Sequence, residues 1–101
     1  MDSKILLGKI LQRFKDQKIS QVEGYKSFGY IRETENQVQV SREDGQDTWL
    51  PFKKILIAIE GYQKNPDLYN VGPTALRELG ITHVNSPIWS ILHLLFKDEY
   101  K

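Results

Sequence analysis

A chain of 101 residues with 40% hydrophobic, 27% charged and 11% aromatic residues has the composition of a globular protein, which excludes a disordered tail. This length predicts a single domain over residues 1–101, because a chain of this size builds one core. The absence of cysteine excludes disulfides, thiolate metal ligands and a cysteine nucleophile, and we expect a cytoplasmic protein.

The net charge of +1 is unevenly distributed along the chain. Residues 1–18 carry +3, residues 19–50 carry −3, residues 51–70 carry +1 and residues 71–101 are neutral. No apolar run approaches the roughly 18 residues that a membrane span needs, and basic side chains interrupt any signal-peptide core. We therefore expect no membrane partner.

The first predicted element is an amphipathic helix that begins near Asp2 or Ser3. Its apolar face repeats at helical spacing and consists of Ile5, Leu6, Ile10, Leu11 and Phe14. The basic residues lie mostly on the opposite face. That face either points into water or contacts the phosphates of a nucleic acid through Lys9 and Arg13.

The next segment predicts a small antiparallel meander. Its three strands are expected over Ser27–Glu33, Gln37–Arg42 and Asp47–Leu50. Val38 and Val40 alternate with polar residues, as in a strand with one buried face. The pair Asp44-Gly45 is typical of a hairpin turn.

A second amphipathic helix is predicted after the meander. Pro51 suits its first position, where a missing N–H costs nothing, and apolar residues then repeat at helical spacing over residues 51–64. Pro66 disfavours helical geometry in Asn65 and ends the helix there.

The C-terminal segment predicts two further helices around a turn. The first begins at Pro73 and reaches Leu79, and Gly80 supplies the left-handed residue after it. Ser86 is the expected N-cap of the last helix, with Pro87 at its first position. This helix is expected over residues 87–97 and is apolar nearly all round, which indicates burial.

The stretch from Ala75 to Ile81 resembles the first helix and turn of the helix-turn-helix superfamily, in which a pattern ending in Leu-Gly-Ile or Leu-Gly-Val is frequent. The resemblance implies a trihelical or winged-helix relative that contacts bases or phosphates with the start of its last helix and the loop before it. The implied nucleic-acid-binding residues are Thr82, His83, Asn85, Ser86 and Ser90, flanked by Arg77 and Lys97.

A simpler interpretation stays open for the same segment. Residues 82–86 can serve only to cap the last helix and to turn the chain. The hairpin over residues 37–48 would be the wing of a winged helix, but its tip is acidic and would repel a phosphate backbone.

The elements in order predict an α+β domain with an N-terminal helix, a three-stranded antiparallel β-meander, an amphipathic helix and a C-terminal helix-turn-helix-like pair. No metal-ligand spacing, nucleophile motif or phosphate loop is present, so we expect no enzyme, metal or cofactor.

Two functions remain. The first is a nucleic-acid-binding accessory or regulatory domain with DNA as its partner. The second is a protein-interaction module that docks on another protein or forms a homodimer, because aromatic side chains are numerous. Basic N-terminal residues converging with residues 82–90 would favour the first, and an apolar patch beside Trp89 or Phe96 the second.

Overall fold

The computed structural model describes all residues from 1 to 101 and has an α+β fold, in which an N-terminal helix precedes a four-stranded antiparallel sheet and further helices follow. The helices and strands are α1 (Ser3–Gln17), β1 (Ile19–Ser20), β2 (Phe28–Glu33), β3 (Gln37–Arg42), β4 (Thr48–Pro51), α2 (Phe52–Lys64) and α3 (Asn85–Leu92). Three 3₁₀ segments cover Pro66–Asn70, Pro73–Leu79 and Lys97–Tyr100. None of the helices combines the length and the apolar character that crossing a membrane requires.

Helix α1 begins where the sequence predicts it. The carboxylate of Asp2 accepts a hydrogen bond from the Lys4 N–H at 2.7 Å, which satisfies one of the free donors of the first turn. Its buried residues are Leu6, Leu7, Ile10, Leu11 and Phe14. Ile5, predicted to be on this face, is 55% exposed, and Leu7 takes its place.

The sheet contains the three predicted strands and one more. Its order is β1-β2-β3-β4, with every neighbouring pair antiparallel, so the prediction of three strands is corrected to four. Strand β1 is only two residues long, and a strand of that length has no alternating pattern to detect. It forms because α1 ends at Lys18 in a left-handed conformation (φ 67°), which turns the chain back towards β2.

The core lies between the sheet and the helices. Val38, Val40 and Leu50 are fully buried on the inner face of the sheet. Helix α2 adds its buried face of Ile55, Ala58, Ile59 and Tyr62. Pro51 is the last residue of β4 and the cap of α2 instead of its first helical residue, and its extended conformation joins the two elements without a loop.

The C-terminal corner, residues 72–97, differs from its prediction at three points. The segment Pro73–Leu79 is a 3₁₀ helix instead of an α-helix, although Gly80 has the predicted left-handed conformation (φ 84°). Helix α3 begins at Asn85 because the Asn85 N–H already bonds to the Thr82 carbonyl at 3.1 Å, so Ser86 lies inside the first turn and is not the N-cap.

Helix α3 also ends earlier than predicted, at Leu92 instead of residue 97. The N–H groups of His93 and Leu94 bond to carbonyls three residues back, both at 3.0 Å, which tightens the last turn. The Tyr100 hydroxyl donates to the Leu92 carbonyl, so a side chain takes the place of the next helical N–H.

Two glycines provide a matched test of these backbone conformations, because a Cβ atom at either position would contact nothing within 4 Å. At Gly80 the left-handed conformation strains any L-residue, so Gly80→Ala should lower the free energy of unfolding by about 1–2 kcal/mol. Gly8 lies within α1, and Gly8→Ala should raise it by up to about 1 kcal/mol. Urea unfolding measures both values, and equal effects of the two substitutions would contradict the assigned conformations.

Candidate functional site

A polar depression lies at the turn before α3. It is lined by Arg42, Arg77, Thr82, His83, Asn85 and Ser86, and we call it the corner depression. Five of these six side chains are candidates from the sequence, and the structure brings them together. Two guanidinium groups line the depression and no carboxylate does, so its local field favours an anion.

Three elements position these side chains. Arg42 ends β3, where its Nε donates to Thr48 Oγ1 at 2.8 Å and its guanidinium lies 5.8 Å from the ring centroid of Phe28. Arg77 projects from the 3₁₀ segment, is exposed and has no salt-bridge partner. The buried Asn85 donates from Nδ2 to the Pro73 carbonyl at 3.2 Å, which ties the start of α3 to the 3₁₀ segment. The depression is therefore a fixed feature of the corner.

A cleft of about 460 Å³ adjoins the depression and shares Arg42 and Ser86 with it. We call it the aromatic cleft, because Tyr25, Phe28 and Trp89 are among the side chains that line it. Its volume lies within the roughly 300–1,000 Å³ that is typical of small-molecule sites. The depression and the cleft together form one continuous concave surface.

The indole of Trp89 is held rigidly at one side of the cleft. Its Nε1 donates to the Val71 carbonyl at 2.9 Å, and only 5% of the residue is exposed. The ring centroids of Tyr25 and His93 lie 4.5 Å and 4.4 Å from it. Tyr25 is 46% exposed, so it presents aromatic surface to water while it covers Trp89.

His93 acts as a packing residue behind Trp89. Its Nδ1 lies 2.7 Å from the Trp89 carbonyl oxygen and its Nε2 lies 2.8 Å from the Tyr69 carbonyl oxygen. Because both neighbours are acceptors, neither ring nitrogen is free to bind a ligand. His93 thereby links α3 to the 3₁₀ segment that contains Tyr69.

The acidic hairpin tip also lines the cleft. Asp44 forms an ion pair with Lys26, which lowers the pKa of the Asp44 carboxyl through its hydrogen bond and its charge. The Glu43 carboxylate accepts a hydrogen bond from the Ser27 N–H. The two carboxylates and the cations Lys26 and Arg42 balance in charge along the cleft, unlike the depression beside it.

Ser90 is a sequence candidate that the structure places at the bottom of the cleft, where it is 1% exposed. Its hydroxyl forms a buried hydrogen bond of 2.8 Å with the hydroxyl of Ser20. The hydrogen bond gives each of the two buried hydroxyl groups a partner. A buried hydroxyl without a partner would cost about 1–3 kcal/mol. Ser90 therefore joins α3 to β1 and is not accessible to a large ligand.

The other three candidates lie outside the depression and the cleft, and each has an acidic partner. Lys97 Nζ lies 3.2 Å from the carboxylate of Asp67. Arg13 donates to both carboxylate oxygens of Glu99, at 2.9 and 2.8 Å, and to the Leu94 carbonyl at 2.9 Å. Lys9 lies 3.9 Å from the same carboxylate. Arg13 thus anchors the C-terminal segment to α1.

The Arg13–Glu99 pair predicts a loss of stability in acid. Hydrogen bonds from Arg13 lower the pKa of Glu99 below its ordinary value of 4.5, so the pair stabilises the fold above pH 4.5 and loses this contribution as the pH falls through the folded-state pKa. Glu99→Gln should remove this part of the pH dependence between neutral pH and pH 3, measured as the free energy of unfolding in urea.

A second measurement separates this contact from its neighbour. Arg13→Ala should cost about 1 kcal/mol at neutral pH, because the pair is part-buried and bidentate. Lys9→Ala is the control and should change stability by less than about 0.5 kcal/mol, since Lys9 is 41% exposed and lies farther from the carboxylate. Equal losses would show that the bidentate geometry contributes nothing.

Sequence reasoning missed Arg42 as part of the depression and assigned no cleft. Arg42 is the last residue of a predicted strand, and the strand pattern does not reveal that this end of the sheet meets the turn before α3. Tyr25 and Trp89 stood out only as aromatic residues, because the pairing of two residues 64 positions apart leaves no periodic signal.

Comparisons of the chain with protein-family models, with curated proteins and with solved structures found no match.

Proposed function

We propose that the protein binds nucleic acid through the corner depression and acts as an accessory or regulatory domain. The observation that carries this proposal is the convergence of Arg42 and Arg77 with four polar residues on a surface that no carboxylate lines, namely Thr82, His83, Asn85 and Ser86. Guanidinium groups are the preferred partners of phosphate, and hydroxyl and amide side chains add hydrogen bonds to phosphate or base. The proposal assigns the site binding and no catalysis.

The mode of contact follows from the burial of α3. The 3₁₀ segment precedes α3 across the turn, but seven of the eight residues of α3 are buried, so this helix has no free face to enter a groove. We assign the contact to the turn instead, with Thr82 and His83 exposed beside Arg77. The turn would lie against the backbone, where contacts fix position more than sequence.

The small number of cations sets the expected strength. Two guanidinium groups correspond to about two neutralised phosphates, so the logarithm of the binding constant should fall with the logarithm of salt concentration with a slope between about −1 and −2. The basic residues of α1 do not converge with residues 82–90, as the sequence criterion for nucleic-acid binding required. Arg42 and Arg77 supply the cations of the depression instead. We expect modest affinity and weak sequence preference.

The test is a fluorescence anisotropy titration with labelled DNA at several salt concentrations. Arg77→Gln should weaken binding by about fivefold at low salt and reduce the salt slope by about one, because it removes one phosphate contact. Lys64→Gln is the matched control, since Lys64 is an exposed cation in the last turn of α2, outside the depression, and it should leave binding unchanged. A binding constant that does not change with salt concentration, or equal weakening of binding by both substitutions, would contradict the proposal.

A second candidate function is binding to protein, and a separate observation favours it. Phe96 is 77% exposed, and Val71 and Tyr25, each 46% exposed, lie beside Trp89. Exposed aromatic side chains are typical anchors of interfaces.

If Phe96 supports a homodimer, Phe96→Ser should shift the mass measured by light scattering towards the monomer, whereas Ile31→Ser, at an exposed site in the sheet, should not. A monomeric wild-type protein would exclude the homodimer.

A further inference from the structure

We infer that the aromatic cleft accepts an unpaired nucleobase and that the protein therefore prefers single-stranded nucleic acid to a duplex. This inference rests on the proposed function, because the corner depression is taken to hold the adjoining phosphate. The depression and the cleft share Arg42 and Ser86, so a nucleotide bound at one is continuous with the other. A base buried in a duplex stack cannot reach the cleft, whereas an unstacked base can.

The aromatic surface in the cleft is suited to stacking. Tyr25 exposes almost half of its surface. The centroids of its ring and of the Trp89 ring are 4.5 Å apart, and the two ring planes form an angle of 55°. Trp89 is fixed by its hydrogen bond to Val71 and by the His93 ring behind it. Tyr25 is thus supported on one side, and a base stacked on the other side would gain contact area without ordering a mobile residue.

The distribution of charge sets the orientation of the nucleotide. The depression carries the guanidinium groups of Arg42 and Arg77 and no carboxylate, and it attracts the phosphate. The cleft is also lined by the carboxylates of Glu43 and Asp44, which repel a phosphate but can accept hydrogen bonds from the amino group of a base. The phosphate therefore lies over the depression and the base points towards the hairpin tip.

The size of the cleft agrees with this occupant. A volume of about 460 Å³ is large enough for a base and its sugar. The cleft is lined by two cations and two carboxylates, so its formal charges cancel. This disfavours a ligand that consists of phosphate alone. An uncharged, flat, hydrogen-bonding group meets both conditions.

The first test needs no substitution. The wild-type protein is titrated with three fluorescently labelled probes of about a dozen nucleotides: a single strand of DNA, its duplex, and an abasic strand with the same number of phosphates. We expect the single strand to bind at least roughly fivefold more tightly than the duplex and the abasic strand. If all three probes bind equally and Arg77→Gln weakens the binding of each, the inference of a base site is wrong. The proposed phosphate contact in the depression would still hold. No binding of any probe would overturn both.

The second test uses a matched pair of variants. Tyr25→Ala should weaken binding of the single strand by about tenfold, because stacking on one aromatic residue contributes that much per base, and should change binding of the duplex by less than about twofold. Tyr25→Phe keeps the ring and should bind like the wild type, since the Tyr25 hydroxyl is not needed for stacking. Equal losses in both variants, or a loss in Tyr25→Ala that the duplex and the single strand share, would overturn the inference.

Discussion

The burial of α3 on every side is the constraint on which the rest of the structure depends. Seven of its eight residues are buried, so neighbouring elements must cover the whole circumference of this helix. Helices α1 and α2 supply part of the cover, β1 joins it through the Ser20–Ser90 hydrogen bond, and Tyr25 covers Trp89. The corner depression and the aromatic cleft meet at Ser86, the one residue of α3 that is not buried.

Local patterns predicted those parts of the fold that local interactions determine. The alternating valines of β3 and the periodic face of α2 are short-range signals, and the structure confirms both elements. Strand β1 and the ends of α3 depend on contacts between distant residues. Ser20 pairs with Phe28 in the sheet, and the Tyr100 hydroxyl donates a hydrogen bond to the Leu92 carbonyl. Neither contact produces a periodic pattern in the sequence. The capping rules for Ser86 and Pro87 failed for a different, local reason, because the turn between Thr82 and Asn85 had already begun the helix.

The site was predictable to the extent that it is contiguous in sequence. Residues 77–86 lie on one turn, so grouping them required only that the turn be exposed. Arg42 reaches the same surface through the register of the sheet, which pairs it with Phe28. For Lys9 and Arg13 the prediction erred in the opposite direction. The sequence shows no acidic partner for this basic helical face, but the fold brings Glu99 beside both residues. Charge counts along a chain therefore overstate the cations that a folded surface offers.

The contact between Arg13 and Glu99 joins residues 86 positions apart and has a consequence for the newly made chain. Helix α1 is synthesised before α3, so its buried face has no α3 to pack against, and Arg13 has no Glu99 to bind, until the later residues are made. Until residues 85–99 have left the ribosome, the apolar side chains of α1, the sheet and α2 have no complete core to enter. This core is therefore completed only after residues 85–99 have been synthesised, and until then the apolar side chains of the earlier elements stay exposed.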